Sequence, residues 1–182
     1  MRRLILAFVF SCGFIALSGP YSQPQAAAPT SIVKAEEDAE NMIAERIDEE
    51  RVRFAATAPK LLPNGELHMI ARSRSNAMAH GGPFSHQDAQ GNYPAIDMVK
   101  ERLGSYGHIG ENIFMEKRGR GSFNPQAFAK IAVDEWMKSE EHRENILSPD
   151  YDRSGIGVVV NGDYAYATQV FHGPIKSAPK PR

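Results

Sequence analysis

The side chains best suited to chemistry in this chain lie in three separated stretches: His86 in Pro-Phe-Ser-His, Glu111 in Gly-Glu-Asn-Ile, and His142 in Ser-Glu-Glu-His-Arg-Glu-Asn-Ile-Leu. Two neutral imidazoles and a carboxylate form a donor set that holds Zn²⁺ with an open fourth position. Water bound there becomes acidic enough to attack an ester or amide. The one-helix signature of such hydrolases, His-Glu-x-x-His, is absent. Without a metal, the same three groups orient a ligand, or tie a loop to a sheet, by hydrogen bonds alone.

A second pattern overlaps the first. Glu135, Ser139 and His142 stand at i, i+4 and i+7 and share one stripe if a single helix runs through them. Ser139 and His142 then offer a nucleophile and a base, with Glu111 to orient the imidazole. No glycine-flanked serine at a strand-to-helix elbow supports that reading, and amides inside a helix are not free to stabilise an oxyanion. The other histidines read as structural. His68 falls on an exposed helix face, His80 at a helix end, His108 in a loop and His172 at the close of the last strand.

The elements that must position these groups follow from periodicity. Glu36 to Phe54 carries Ala39, Ile43, Ile47 and Phe54 on one face, which predicts an amphipathic helix. A second helix is predicted from about Asn64, an N-cap, to Ala79, with Leu67, Ile70, Ala71 and Met78 at helical spacing. Gly81-Gly82-Pro83 stops it. The loop Phe84 to Gly91 presents Ser85 and His86, and a shorter helix runs from about Tyr93 to Leu103. Ile109 to Met115 reads as a strand and Lys117 to Gly121 as a loop.

Asn124-Pro125 opens a helix in which Phe128, Ile131, Ala132 and Trp136 form the apolar stripe, with Phe128, Ile131 and Trp136 assigned to the core. His142 to Leu147 adds a last turn. Ile156 to Val160 and Tyr164 to Phe171 are strands joined by Asn161-Gly162-Asp163, whose Asn-Gly tolerates the positive φ of a tight turn. Asn112 and Asn145 read as loop-fixing hydrogen bonders, and Gly155 and Gly157 as sites of close backbone approach. Helices early and strands late predict an α+β fold with helices on both faces of a small, mostly antiparallel sheet.

Composition narrows the function. The 182 residues, 42% of them apolar and 24% charged, suit one domain. Arg2 and Arg3 followed by the apolar run Leu4 to Leu17 read as a secretory signal, too short to span a membrane. Residues 1–28 are therefore expected to be signal and tether, with cleavage between 18 and 28, and the mature form to have no transmembrane anchor. The sole cysteine, Cys12, lies in that segment, so the mature chain has neither disulfides nor a catalytic thiol. It retains 19 basic against 22 acidic residues, and this balance does not attract nucleic acid. Residues 173–182 form a Pro/Lys-rich tail expected to be mobile.

Taken in order, Pro-Phe-Ser-His, Gly-Glu-Asn-Ile, the tryptophan-bearing helix and the strand Tyr164 to Phe171 resemble the CAP superfamily (cysteine-rich secretory proteins, antigen 5, pathogenesis-related proteins) in its short, cysteine-poor bacterial form. The resemblance covers residues 36–172. It implies a three-layer α-β-α sandwich and a cleft lined by two histidines and two glutamates. His86 matches the first histidine and Glu111 the first glutamate. Ser139, three residues after Trp136, stands where the second glutamate belongs, and Tyr166 where the second histidine belongs. His142 offers a replacement imidazole from another element. The resemblance further implies a secreted or periplasmic protein that binds a small hydrophobic or envelope-derived ligand and requires no cofactor, with zinc or another divalent cation as the alternative at His86, His142 and Glu111. The rival class is a hydrolase of peptide, ester or cell-envelope material.

Overall fold

The structure, a computed structural model, describes residues 30–55, 58, 60–104, 107–118 and 121–174. The expected signal and tether, and the tail from residue 175, lie outside these described residues.

Helix α1 (Thr30–Phe54) starts ahead of the expected Glu36 and buries Ala39, Ile43 and Ile47. Phe54, expected on the same buried face, is instead half exposed. Its ring lies 4.9 Å from the Arg53 guanidinium and 5.7 Å from that of Arg143, an arrangement favoured by the ring quadrupole. A two-residue strand β1 (Leu62–Pro63) follows, too short to carry a periodic signal. Helix α2 (Gly65–Ala79) opens with Asn64 Oδ1 accepting the Leu67 N–H at 3.1 Å, as its capping chemistry predicts. Helix α3 (Pro94–Leu103) precedes strand β2 (His108–Lys117), so His108 is the first residue of that strand rather than part of a loop.

Helix α4 (Pro125–Lys138) is capped by Asn124, whose Oδ1 accepts the Ala127 N–H at 3.0 Å. Phe128 and Trp136 are buried along it, whereas Ile131 is 38% exposed and lies outside the core. The helix ends at Ser139, whose φ of −85° and ψ of 125° are extended, and helix α5 (Glu140–Leu147) begins afresh. The stripe of Glu135, Ser139 and His142 therefore does not form, because it requires one uninterrupted helix. Strands β3 (Arg153–Asn161) and β4 (Tyr164–Gly173) close the chain as a hairpin. Gly162 alone takes a positive φ there, +55°, and Asn161 stays in the strand.

The sheet has the order β1-β3-β4-β2, antiparallel except for the parallel pair β1–β3. Its two faces are covered separately, giving the α-β-α sandwich. One core joins Ile43 and Ile47 of α1, Phe128, Val133 and Trp136 of α4, and Ile146 of α5 to Ile156, Val158, Ala167 and Phe171 of the sheet. The other joins Leu67, Ile70 and Ala71 of α2 and Ala95 and Val99 of α3 to Val170. Each fully buried large side chain contributes roughly 1.5–3 kcal/mol of apolar burial, so packing replaces the absent disulfides.

Helix α2 rests against the sheet backbone itself. A Cβ on Gly155 would lie 2.1 Å from the His68 nitrogen, and one on Gly157 2.1 Å from the Arg72 nitrogen. The Ser75 hydroxyl fills the remaining gap, 2.8 Å from the Gly157 carbonyl oxygen and 2.9 Å from Thr168 Oγ1.

Side chains also cap both outer rims of the sheet. Beyond β1, the Val158 and Val160 N–H groups of β3 donate to Glu40 (2.8 Å) and Glu36 (2.7 Å) of α1. On the β2 rim, Trp136 Nε1 donates to the Ile113 carbonyl at 3.0 Å, and Asn145 Nδ2 approaches the Glu111 carbonyl at 3.5 Å.

Candidate functional site

Helix α2 and strand β2 bring the first candidate pair together. His86 Nδ1 lies 2.8 Å from Glu111 Oε2. Because a carboxylate only accepts, Nδ1 carries the proton, which leaves Nε2 of this 46% exposed side chain for a ligand. Glu111 sits opposite Val170 in the ladder, so its side chain points to the α2–α3 face and keeps 7% exposure.

Its other oxygen, Oε1, accepts from Arg74 Nε at 2.8 Å, and Arg74 Nη2 donates to the Ser85 carbonyl at 2.7 Å. The guanidinium, 4% exposed, thus fixes the carboxylate and the loop that carries His86 in one stroke. Asp88 stiffens that loop by accepting the Gln90 and Asn92 N–H groups, both at 2.9 Å. The hydrogen bonds from Asn92 hold the Asp88 carboxyl below its usual value.

His86 and Glu111 line a cleft of about 270 Å³ together with Tyr93, Ile96, Ile109 and Asn145. Asn145 reaches it from α5, where its Nδ2 donates to Asn112 Oδ1 at 2.9 Å and its Oδ1 accepts from the Tyr151 hydroxyl at 3.4 Å. Gly110 leaves room beside them, since a Cβ there would lie 2.6 Å from the Tyr151 oxygen and would push that side chain aside.

The other candidates are placed differently. The His142 carbonyl accepts from Asn112 Nδ2 at 3.1 Å, while the ring's Nδ1 is buried without a hydrogen-bond partner among the described residues. Burial pushes the imidazole below the ordinary histidine value, and the neighbouring His86 pushes it the same way. His142 therefore stands electrostatically close to His86 without lining the cleft. Ser139, at the break between α4 and α5, makes no hydrogen bond with the His142 ring among the described residues. Glu135 is exposed and pairs with Lys138 at 2.6 Å. Tyr166 lies opposite Met115, four residues along β4 from Val170, about 13 Å from the Glu111 position at strand spacing. Its ring packs 6.4 Å from that of Tyr164.

A larger hollow of about 610 Å³ lies between α1 and the start of α2, lined in part by Glu40, Glu45, Asp48, Leu61, His68 and Ile156. Its buried acid is committed to structure: Glu40 is held by Arg72 at 2.7 and 3.0 Å and by the Val158 N–H. His68, 42% exposed on its helix, lies 3.6 Å from the same carboxylate.

The donor set at His86 does not fit a metal ion. With Nδ1 turned to Glu111, His86 has one ring nitrogen left, and Glu111 stands behind the imidazole with its second oxygen taken by Arg74. That leaves His86 and His142, one ligand fewer than the three protein ligands of an open zinc centre. Among the described residues no group of three His, Cys, Asp or Glu side chains is placed to hold a metal ion.

Arg74 and Tyr93 are the site residues that the sequence reading missed, whereas Asn145, read as a loop-fixing hydrogen bonder, makes such bonds and lines the cleft as well. Arg74 had a signal: it lies at helical spacing with Leu67, Ile70, Ala71 and Met78, on the buried stripe of α2, where an unpaired cation is excluded.

Comparison with known proteins bears on the family and the fold. The chain is 36% identical over 107 residues to YkwD of Bacillus subtilis (strain 168), covering 59% of this chain and 37% of that protein. An extracellular protein containing an SCP domain from Bacillus anthracis superposes with a TM-score of 0.64 at 22% identity, over 84% of this chain and 45% of that one. NaASP2, solved with Zn²⁺, superposes with a TM-score of 0.51 at 13% identity, over 81% and 82% of the two chains. At such identities the structural likenesses establish the fold alone, and the chain spans less than half the length of both bacillar proteins. The family model of the cysteine-rich secretory proteins matches residues 45–171, and the chain belongs to that CAP family.

Proposed function

We propose that this chain is an exported binding module whose cleft at His86 and Glu111 takes up one small amphipathic ligand without making or breaking a covalent bond. The observation that carries the reading is the division of the cleft. Tyr93, Ala95, Ile96 and Ile109 provide an apolar wall, and His86, Glu111 and Asn145 a polar end in which the carboxylate is already neutralised by Arg74. A site of this kind binds by burying a hydrocarbon portion and orienting a single polar head, here on His86 Nε2.

Export is supported by the basic and apolar start of the sequence and by the extracellular description of the Bacillus anthracis relative. Among the described residues no helix is long and apolar enough to cross a membrane. Hydrolysis through a metal is disfavoured by the donor set, and hydrolysis through Ser139 by the missing contact with the His142 ring.

The test uses ¹⁵N-labelled protein titrated with octanol and octanoate. Amide shifts concentrated at Ile96, Ile109 and Gly110, lost in a His86→Ala variant that still melts cooperatively, support the proposal. Shifts confined to the hollow beside Glu45 and Asp48, or no saturable shift with either probe, refute it.

A further inference from the structure

We infer that the cleft selects a neutral head group that donates a hydrogen bond, an aliphatic alcohol rather than a carboxylate or an ether. Its lining side chains spend their donors inside the protein and keep acceptors for the ligand. The inference rests on the proposed binding at His86 for its location and adds the class of ligand.

Three groups that can only accept fix this polarity. The Glu111 carboxylate takes the Nδ1 hydrogen of His86 at 2.8 Å, so in the neutral ring Nε2 carries a lone pair and no hydrogen. The His142 carbonyl turns the Asn112 amide so that its Nδ2 donates at 3.1 Å, which leaves Asn112 Oδ1 to accept from Asn145 Nδ2 at 2.9 Å. The Glu111 carbonyl, 3.5 Å from the same Nδ2, draws on its second hydrogen. Both amide hydrogens of Asn145 are thereby committed. Its Oδ1 accepts from the Tyr151 hydroxyl at 3.4 Å and retains a further lone pair.

Arg74 does not line the cleft, and its Nε and Nη2 are turned to Glu111 and the Ser85 carbonyl. Among the lining side chains only the Tyr93 hydroxyl is left with a hydrogen to give, and at 47% exposure that side chain is open to water. A ligand hydroxyl supplies the hydrogen that His86 Nε2 lacks. An ether oxygen or a carboxylate brings lone pairs against lone pairs, and burying either there strips it of water without a replacement bond. Mismatches of this kind discriminate more sharply than a change of hydrocarbon length, because a polar group is left unpaired.

The test follows the ring ¹⁵N shifts of His86 and the amide shifts of Ile96, Ile109 and Gly110 in ¹⁵N-labelled protein, at an alkaline pH where the ring shifts report a neutral imidazole. The probes are 1-octanol, octanoate and heptyl methyl ether, similar in size and different in head. The ring is expected as the Nδ1–H tautomer, and octanol is expected to bind at least tenfold tighter than either competitor. An Nε2–H tautomer overturns the inference, and so does a preference below tenfold over octanoate or the ether. His86→Gln, whose amide can turn to give or to accept, is expected to lose the preference by binding octanol and ether alike or neither. A folded His86→Gln protein that keeps it overturns the inference, and if that variant fails to fold the wild-type tautomer and affinities still decide. Equal uptake of octanol and octanoate at these amides would sink this inference and leave the proposed function standing, whereas no saturable shift with any probe would sink both.

Discussion

Arg74 and Glu111 form a buried ion pair at 2.8 Å, 4% and 7% exposed, and it sets the shape of the cleft because the same carboxylate orients His86. Breaking such a pair from one side leaves the other charge uncompensated. Arg74→Met is expected to lose about 3–5 kcal/mol of unfolding free energy. Combining it with Glu111→Leu should recover most of that loss. Urea denaturation of the three proteins measures both values, and a single substitution without effect would mean that the pair is not formed.

Acid should weaken the fold partly through His142. Its folded pKa lies below the ordinary 6.5, chiefly through burial, so between those two values the unfolded chain binds more protons than the folded one. Stability therefore falls as pH drops below about 6.5 and levels off above it. Thermal midpoints of wild type and His142→Gln across pH 5 to 8 should diverge on the acid side, the variant being flatter. Superimposable profiles would contradict the burial of Nδ1.

Gly157 is expected to tolerate no side chain. A Cβ at that position lies 2.1 Å from the Arg72 backbone nitrogen, so Gly157→Ala must lift α2 from β3. The cost should be about 3 kcal/mol or more, at the upper end for an overpacked core. Gly162→Ala offers the contrast, since its site is open and only the turn's φ of +55° resists the change.

Trp136→Phe separates the apolar role of the ring from its hydrogen bond. The ring volume is largely kept while the Ile113 carbonyl loses its 3.0 Å donor, with an expected loss of about 1–3 kcal/mol. Hydrogen exchange should quicken in β2 more than in β3, and equal quickening throughout would show that the indole N–H has no local role.

Much of this architecture is legible in the sequence because its signals are local. Asn64 and Asn124 announce their helices through caps that form as drawn, and glycines at 155 and 157 mark the strand on which a helix rests. Local periodicity failed at the block around Ser139, where the local marks of the break that splits α4 from α5 are Ser139 itself, an N-cap residue type, and the acidic Glu140 and Glu141 that open α5. Ile131 and Phe54 fit an apolar stripe and are still 38% and 50% exposed, since periodicity assigns a face without saying what covers it; Phe54 is the last residue of α1.

The site was half legible. His86 and Glu111 sit in recognisable blocks and do meet, whereas Arg74 reads as one more charged residue in an alternating helix unless its register against Leu67, Ala71 and Met78 is counted. Its partnership with Glu111 spans 37 positions, a distance at which periodicity carries no information.

The rims of the sheet set a limit on how other molecules can address this protein. Carboxylates from α1 occupy the amides along one margin, and an indole and an amide from α4 and α5 occupy carbonyls along the other. A foreign peptide laid alongside either margin would have to displace these side chains at Val158 and Val160 or at Glu111 and Ile113 before pairing with the backbone there, which disfavours strand addition at those positions. Recognition by this molecule then falls to its side chains and hollows.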